Sequence, residues 1–259
     1  MISVVIIAKN EAHIIGNTLQ SLHGLTDDII VVDSGSSDDT VSLCQKSGAK
    51  VIETTWDGYG ANKNKGITAA KYDWILSLDA DEAVDTLLKK SLSSLEPADE
   101  LVAYELSYRN FFCNKLIRFG VWANDRHVRL FNRRKVKWDD AAVHENLIFP
   151  PDVKVLPLQG YVLHYTVHSL KEFTDKTVAY AYSNARKYHL QGKKAGFVKL
   201  YIAPAFSFIQ HYIIRLGFLD GWEGYLICKT NAWYTFLKYA FLDEMNRKAY
   251  RNTGIDNRY

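Results

Sequence analysis

The chain is predicted to adopt an α/β fold, a Rossmann-like, mostly parallel sheet with helices on both faces, followed by a helical C-terminal region. Short, near-continuous apolar runs alternate with segments of helical periodicity up to Pro97, the pattern of parallel strands buried on both faces. Polar clusters recur at the carboxyl ends of those runs, where open α/β sheets bind their ligands. Aromatic residues, 13% of the whole, gather after position 195 in a segment of helical pattern.

Ser3 to Ala8 is a β-branched run of strand length, with Lys9-Asn10-Glu11 at its carboxyl end. From His13 to Leu22, the residues Ile14, Ile15, Leu19 and Leu22 form an apolar helical stripe. Asp28 to Val32 is a second strand, running into Asp33-Ser34-Gly35-Ser36-Ser37-Asp38-Asp39-Thr40. Val41 to Ser47 is its helix, Lys50 to Glu53 a third strand, Asn62 to Lys71 a helix, and Trp74 to Leu78 a fourth strand ending at Asp79. Crossovers between such strands are right-handed. Beyond Pro97 the strands lengthen and become aromatic, at Val102 to Phe112, His127 to Phe131 and Gly160 to Tyr165. Leu170 to Gln191 is helical, and a Gly/Lys turn at 191–196 separates it from an aromatic helical region, Phe197 to Met245. The expected organisation is a ligand-binding domain at 1–190 and a C-terminal region at 191–259 that contacts acceptor, membrane or a second subunit.

The 47% hydrophobic and 24% charged fractions are those of a globular protein and exclude disorder throughout. A net charge of +3 gives no argument for nucleic acid, although a local basic surface would attract phosphates or anionic headgroups. Cys44, Cys113 and Cys228 lie far apart with no C-x-x-C spacing, so neither a disulfide framework nor a zinc site is read, and a reducing cytoplasm fits. Met1 to Ile7 lacks a basic region ahead of its apolar run and reads as a strand rather than a signal peptide. Between Phe197 and Phe218, Lys199, Pro204, His211 and Arg215 interrupt the apolar pattern, which stays short of the ~20 residues a bilayer crossing needs. Two readings stay open there: a peripheral amphipathic segment on the inner face of the cytoplasmic membrane, or core or homodimer packing.

Asp79-Ala80-Asp81-Glu82 ends the fourth strand. Two carboxylates two residues apart at a strand end can face one cavity if the chain turns, and hard oxygen ligands suit Mg²⁺ or Mn²⁺ bridging a nucleotide's phosphates. A solvated acidic turn is the plain alternative. In the 33–40 segment, glycine and serines allow a tight turn and the Asp/Thr end caps a helix. Asp33 there either serves that turn or accepts hydrogen bonds from a base or ribose. The G-x-G-x-x-G spacing of a dinucleotide site is missing. Arg126 and Arg129 recur along one strand and are read as facing one side, either toward a diphosphate or acceptor phosphate or toward structural carboxylates.

Ile7-Ala8-Lys9-Asn10-Glu11, the Val32-to-Thr40 segment and Leu78-Asp79-Ala80-Asp81-Glu82 stand in the order and spacing of family 2 glycosyltransferases, which the chain resembles. Arg126-His127-Val128-Arg129-Leu130-Phe131, Val143-His144-Glu145 and Gly217-Phe218-Leu219-Asp220-Gly221 are similar to the subgroup that adds glucose to lipopolysaccharide inner core. The resemblance implies a GT-A fold, with Ala8, Asn10 and Glu11 lining the nucleoside pocket and Asp33 reading the base. It implies that Asp79 contacts ribose or metal and that Asp81 is the principal metal ligand. Lys63 matches a stretch where the family often has an arginine; its ammonium reaches the diphosphate or faces solvent. His164, ending a late strand, either completes the metal shell, as a downstream histidine does in several GT-A enzymes, or is structural. Where many members carry an acidic catalytic pair, this chain has His144-Glu145; Glu145 is the expected base and His144 the runner-up.

The expectation is thus an inverting, Mg²⁺- or Mn²⁺-dependent transferase that moves a sugar, glucose from UDP-glucose by resemblance, onto a glycan or lipid-linked glycan. A nucleotidyltransferase is the rival enzyme, although Lys9-Asn10-Glu11 is not its Gly-rich phosphate loop. A non-catalytic sugar-nucleotide-binding module is the rival outside enzymology.

Overall fold

A computed structural model of the chain describes residues 1–96, 99–139 and 146–252. The fold forms two compact units, one of Met1–Arg109 with Asn124–Tyr165 and one of Asn110–Ala123 with Thr166–Tyr259.

In the first unit, β1 (Ile2–Ala8), β2 (Ile29–Asp33), β3 (Lys50–Glu53) and β4 (Trp74–Asp79) pair in parallel in the order β3-β2-β1-β4. Alternation explains why β1 is apolar on both faces apart from the buried Ser3. Ile2, Val4, Ile6 and Ala8 enter one core while Val5 and Ile7 enter the other. The helices α1 (Ile15–Leu22), α2 (Thr40–Lys46) and α4 (Thr86–Ser93) cover the first face through Ile15, Leu19, Leu22, Cys44, Leu88 and Leu92. The opposite face is covered by α3 (Tyr59–Thr68) through Ile67. A Cβ on Gly66 of that helix would sit 2.4 Å from Val5 Cγ1 and 2.9 Å from Val32 Cγ2, so glycine sets how closely α3 approaches β1 and β2.

Past β4 the sheet is mixed. Beyond β4 come β8 (Arg126–Asn132), β6 (Val102–Phe112), β11 (Lys154–Val167) and β5 (Glu82–Val84), with β7 (Lys115–Leu116) on β6. A two-stranded sheet is formed by β9 (Lys137–Trp138) and β10 (Leu147–Ile148).

Some boundaries differ from expectation for local reasons. α3 stops at Thr68 rather than Lys71, where Arg133 Nη1 donates to the carbonyls of Ile67 and Ala70 at 3.1 and 2.8 Å. β11 starts six residues before Gly160 instead of at it. That glycine (φ +101°) lets the strand pass Leu88, whose backbone nitrogen would lie 2.1 Å from an added Cβ. The sequence reading also passed over α4, whose cap Asp85 accepts the Leu88 N–H at 2.7 Å.

The second unit holds α5 (Leu170–Leu190), a helical run from Val198 to Ile214 that contains α6 (Ala203–Ile209) between two π-helical turns, and α7 (Gly221–Asn252). Ser169 accepts the Glu172 N–H, and the Glu172 carboxylate accepts the His168 N–H in return, which fixes the start of α5. Phe112, Ile117, Val167 and Ile227 form the core of this unit. Asp220, 4% exposed, accepts the backbone N–H groups of Arg118 and Phe119, so the Gly217-to-Gly221 signature has a structural task.

Candidate active site

The register of the parallel strands brings the expected polar clusters to one edge. Ala8 is paired with Asp33, and Ile7 with Asp79, so the carboxyl ends of β1, β2 and β4 finish level. Two networks stand there.

The first joins the ends of β1 and β2. Asn10 takes a left-handed backbone (φ 57°), which asparagine tolerates. Its N–H donates to Ser36 Oγ at 2.8 Å, and its Oδ1 accepts the Ser37 N–H at 2.8 Å. The Glu11 N–H donates to Thr40 Oγ1 and the Ala12 N–H to Asp38 Oδ2. Asp33 is 1% exposed and accepts the N–H groups of Gly35 and Ser36 at 3.0 and 2.9 Å, with Ser36 Oγ on its other oxygen. The carboxylate thus holds the Ser-Gly-Ser turn, the plainer of its two expected tasks.

The second network surrounds Asp79. Lys63, from the first half of α3, is 2% exposed, so it does not face solvent. Its Nζ lies 3.2 Å from Asp79 Oδ1 and 4.5 Å from the centroid of the Trp138 ring. Next to it in α3, Asn62 donates to Ser34 Oγ at 2.9 Å, so a single helix turn ties the two networks together. Arg129 Nη2 lies 3.6 Å from Asp79 Oδ2 and 3.4 Å from Glu82 Oε1, and its Nε donates to the Tyr108 hydroxyl at 2.8 Å. Glu82 in turn accepts the Asp79 N–H at 3.0 Å. The Ala80 carbonyl accepts from Thr18 Oγ1 at 2.7 Å, and the Asp81 carbonyl accepts the Tyr165 N–H at 3.0 Å. The Asp79-to-Glu82 turn is therefore fixed from both sides before any ligand arrives.

The three carboxylates of that turn have different surroundings. Burial raises the pKa of Asp79, but Lys63, Arg129 and His164 outweigh it and hold the carboxyl at about 2. Glu82 is raised by burial and by the charge of Asp79, with Arg129 opposing. Asp81 instead faces His164, whose Nε2 lies 3.4 Å from Asp81 Oδ2, both side chains about a fifth to a quarter exposed. Burial works against the charged imidazole. The Asp81 contact and the nearby carboxylates overcome it and push His164 up to about 9.

This donor set fits a hard cation: one carboxylate and, once the cation displaces its proton, one imidazole nitrogen, with the remaining positions open to other oxygen ligands. Among the described residues no group of three or more His, Cys, Asp or Glu converges as a self-sufficient metal site.

Arg126 and Arg129 do not share a side. Arg126 is 56% exposed beside Glu105 at 3.6 Å, whereas Arg129 is 12% exposed among the acids. Residues three apart fall on opposite faces of a regular strand. The pairing then slips, because Tyr104 and Glu105 face Leu130 and Val128, leaving Arg129 as the extra residue of a bulge that re-aims it. His144 and Glu145 lie outside the described residues. Tyr108, Trp138 and Glu82 were not assigned tasks from the sequence. Glu82 alone carried a signal, as a third carboxylate after Asp79-Ala80-Asp81.

A family model described as glycosyl transferase family 2 matches residues 3–147. The chain belongs to glycosyl transferase family 2. An uncharacterized glycosyltransferase of Rickettsia typhi is 29% identical over 99% of this chain and 91% of its own length. The lipopolysaccharide core biosynthesis glycosyltransferase LpsC of Rhizobium meliloti is 30% identical over 92% of this chain and 90% of its own. Among solved structures, Staphylococcus aureus TarS 1–349 in complex with UDP-GlcNAc is 14% identical, covers 96% of this chain and 92% of its own, and has a TM-score of 0.47. The glycosyltransferase described here thus carries its Asp79-Ala80-Asp81 turn inside the span that defines the family.

Proposed function

We propose that this glycosyltransferase moves a hexosyl group, glucose from UDP-glucose, onto a hydroxyl of a lipopolysaccharide core glycan, with inversion at the anomeric carbon. The observation that carries the reading is the asymmetric Asp79-Ala80-Asp81 turn, with Asp79 held by Lys63 and Arg129 and Asp81 presented beside His164. The acceptor class is supported by the 30% identity to LpsC over most of both chains.

On this reading Asp81 and His164 would hold a Mg²⁺ or Mn²⁺ ion, which would supply neutralising charge for a diphosphate leaving group. The protein does the rest. The Asn10 and Ser36 turn, braced by Asp33, shapes the nucleoside end of the site. Lys63 and Arg129 keep Asp79 ionised and fixed, so its orientation is set before substrate binds. Glu145 takes the proton from the acceptor hydroxyl as that oxygen attacks the face opposite the diphosphate. The enzyme works in the cytoplasm, where nucleotide sugars are made.

The test is release of UDP from a panel of UDP-sugars by the purified chain, with Mn²⁺ and a heptose-terminated core oligosaccharide. UDP-glucose should give the highest acceptor-stimulated rate, and chelation should abolish it. Turnover of another donor alone would overturn the glucose assignment, and acceptor-independent rates with every core glycan would overturn the acceptor.

A further inference from the structure

The helical run Val198–Ile214 in the second unit is apolar on both of its sides. Phe208 and Tyr212 stack against each other and meet Tyr225 of α7, which accounts for one side. The other side carries Val198, Tyr201, Ile202, Phe206, Ile209 and Ile213 at helical spacing, each between 46% and 61% exposed. A helix that is hydrophobic all round is normally covered on every face, and an outward apolar stripe of this length marks a contact surface. Among the described residues no single helix is long and apolar enough to cross a membrane.

Three lysines meet at the start of this run. Lys193 Nζ lies 4.0 Å from the Tyr188 ring centroid, and Lys238 Nζ 5.5 Å from the same ring. Lys238 is also 4.8 Å from the Tyr239 ring, which Lys199 approaches at 5.8 Å, and the two tyrosine rings are 6.5 Å apart. Among the described residues no carboxylate pairs with any of the three, and Asp243 and Glu244 of α7 are taken by Arg247 and Lys248. The sequence is deliberate on this point: from Lys176 to Leu219 it contains no Asp or Glu, but Lys176, Arg186, Lys187, Lys193, Lys194, Lys199 and Arg215. Gathering like charges without a counter-charge is unfavourable, and burial followed by the charges of Lys193 and Lys199 lowers the pKa of Lys238 accordingly.

We propose that Lys193, Lys199 and Lys238, converging on Tyr188 and Tyr239, grip phosphates of anionic phospholipid headgroups while the apolar stripe of the Val198–Ile214 run enters the membrane interface. The charge decides between this occupant and a second copy of the chain. In a two-fold contact the same patch faces itself, so lysines would meet lysines with no acid between them. An anionic bilayer supplies both things the surface lacks, negative charge for the cradle and an apolar layer for Tyr201, Phe206 and Ile209.

The experiment is vesicle flotation of the full chain, with phosphatidylcholine alone and with added phosphatidylglycerol. We expect flotation with the anionic vesicles, reduced by salt. Each lysine removed should weaken binding about fivefold at low salt, so Lys193→Gln/Lys199→Gln/Lys238→Gln should lose about a hundredfold. Ile209→Ser/Ile213→Ser should remove the salt-resistant remainder, and circular dichroism reports whether each variant is folded. Equal flotation with both vesicle types, or a folded triple variant that floats like the wild type, would overturn the proposal. So would a concentration-dependent dimer, broken by Ile209→Ser, in a protein that does not float. Inorganic phosphate is the arm for a soluble ligand: lysine-dependent thermal stabilisation by phosphate without flotation would assign the cradle to a soluble phosphate instead.

Discussion

Lys63→Met removes one of the two cations that hold Asp79 while keeping the length of the apolar stem against Trp138. The ammonium is 2% exposed and 3.2 Å from Asp79 Oδ1, so its loss leaves Asp79 and Glu82 sharing Arg129, with His164 as the remaining nearby positive charge. Breaking a buried ion pair costs ~3–5 kcal/mol, and the low end applies because Asp79 is one third exposed. The titration sets a smaller figure. A carboxyl held at about 2 instead of the ordinary 3.8, against the opposing effect of burial, is worth at most ~2 kcal/mol, shared among Lys63, Arg129 and His164. We therefore expect ~2–3 kcal/mol of destabilisation at neutral pH, a Tm lower by ~4–10 °C for a chain of this length. The folded pKa lies below the ordinary value, so the stabilisation is complete above pH ~4 and is lost as pH falls through about 2. Urea melts of wild type and variant should converge over that interval. A double-mutant cycle with Asp79→Asn should give a coupling of ~1–3 kcal/mol. Equal Tm values at pH 7, or zero coupling in the cycle, would show that Lys63 does not sustain Asp79.

The other predictions are briefer. Asp81→Ala should stay folded yet lose the part of UDP affinity that depends on Mn²⁺, as read by calorimetry; unchanged affinity would remove Asp81 from the metal site. Glu145→Gln should lower turnover ~10²-fold or more with donor binding intact, and if His144→Ala shows that loss instead, the two roles are exchanged. Cys44 and Cys228 are buried, and burial pushes both thiols up to about 11, so of the three free cysteines only Cys113 should react with Ellman's reagent at pH 8 until denaturant is added. Gly66→Ala should destabilise by ~1–3 kcal/mol, because its Cβ would lie 2.4 Å from Val5 Cγ1; a neutral result would mean that α3 can shift outward.

What could be read in advance depended on how local the cause was. The parallel half of the sheet was legible because a strand buried on both faces is apolar nearly throughout, and β1, β2 and β4 are, apart from Ser3, Ser77 and the aspartates that end β2 and β4. The site edge was legible for the same reason, since polar residues ending such strands have few other places to go. Arg129 was misread because residues three apart fall on opposite faces of a regular strand, so Arg126 and Arg129 had no reason to share a side; the bulge against β6 is a further property of the pairing that neither strand shows alone. Lys63 was ambiguous because its neighbours in sequence, Asn62 and Asn64, give no apolar helical stripe, and only the approach of Trp138 and Asp79 shows that it is inside. Tyr108 carried no signal of its own, because its part in the site depends on Arg129, from another strand, reaching its hydroxyl.

The Asp79-Ala80-Asp81 turn looks symmetric in sequence and is not symmetric in space. Asp79 ends β4 and is confined on both oxygens, by Lys63 on one and Arg129 on the other, with its backbone N–H held by Glu82. A cation competing for Asp79 would have to displace charges already in place, which makes it a poor first ligand. Asp81 lies past the turn, where Thr18 and Tyr165 fix the backbone and leave its carboxylate facing only an imidazole. Substitutions of the two aspartates should therefore fail differently. Asp79→Asn should lower stability, since Lys63 and Arg129 would be left buried beside a neutral amide. Asp81→Asn should cost less stability than Asp79→Asn, because only the partly exposed contact with His164 is lost, and should lose the metal-dependent part of donor affinity. Melting curves and UDP titrations on the same two proteins separate these outcomes. If both variants lose only affinity, or both lose only stability, the division of labour drawn from Lys63 and Arg129 is wrong.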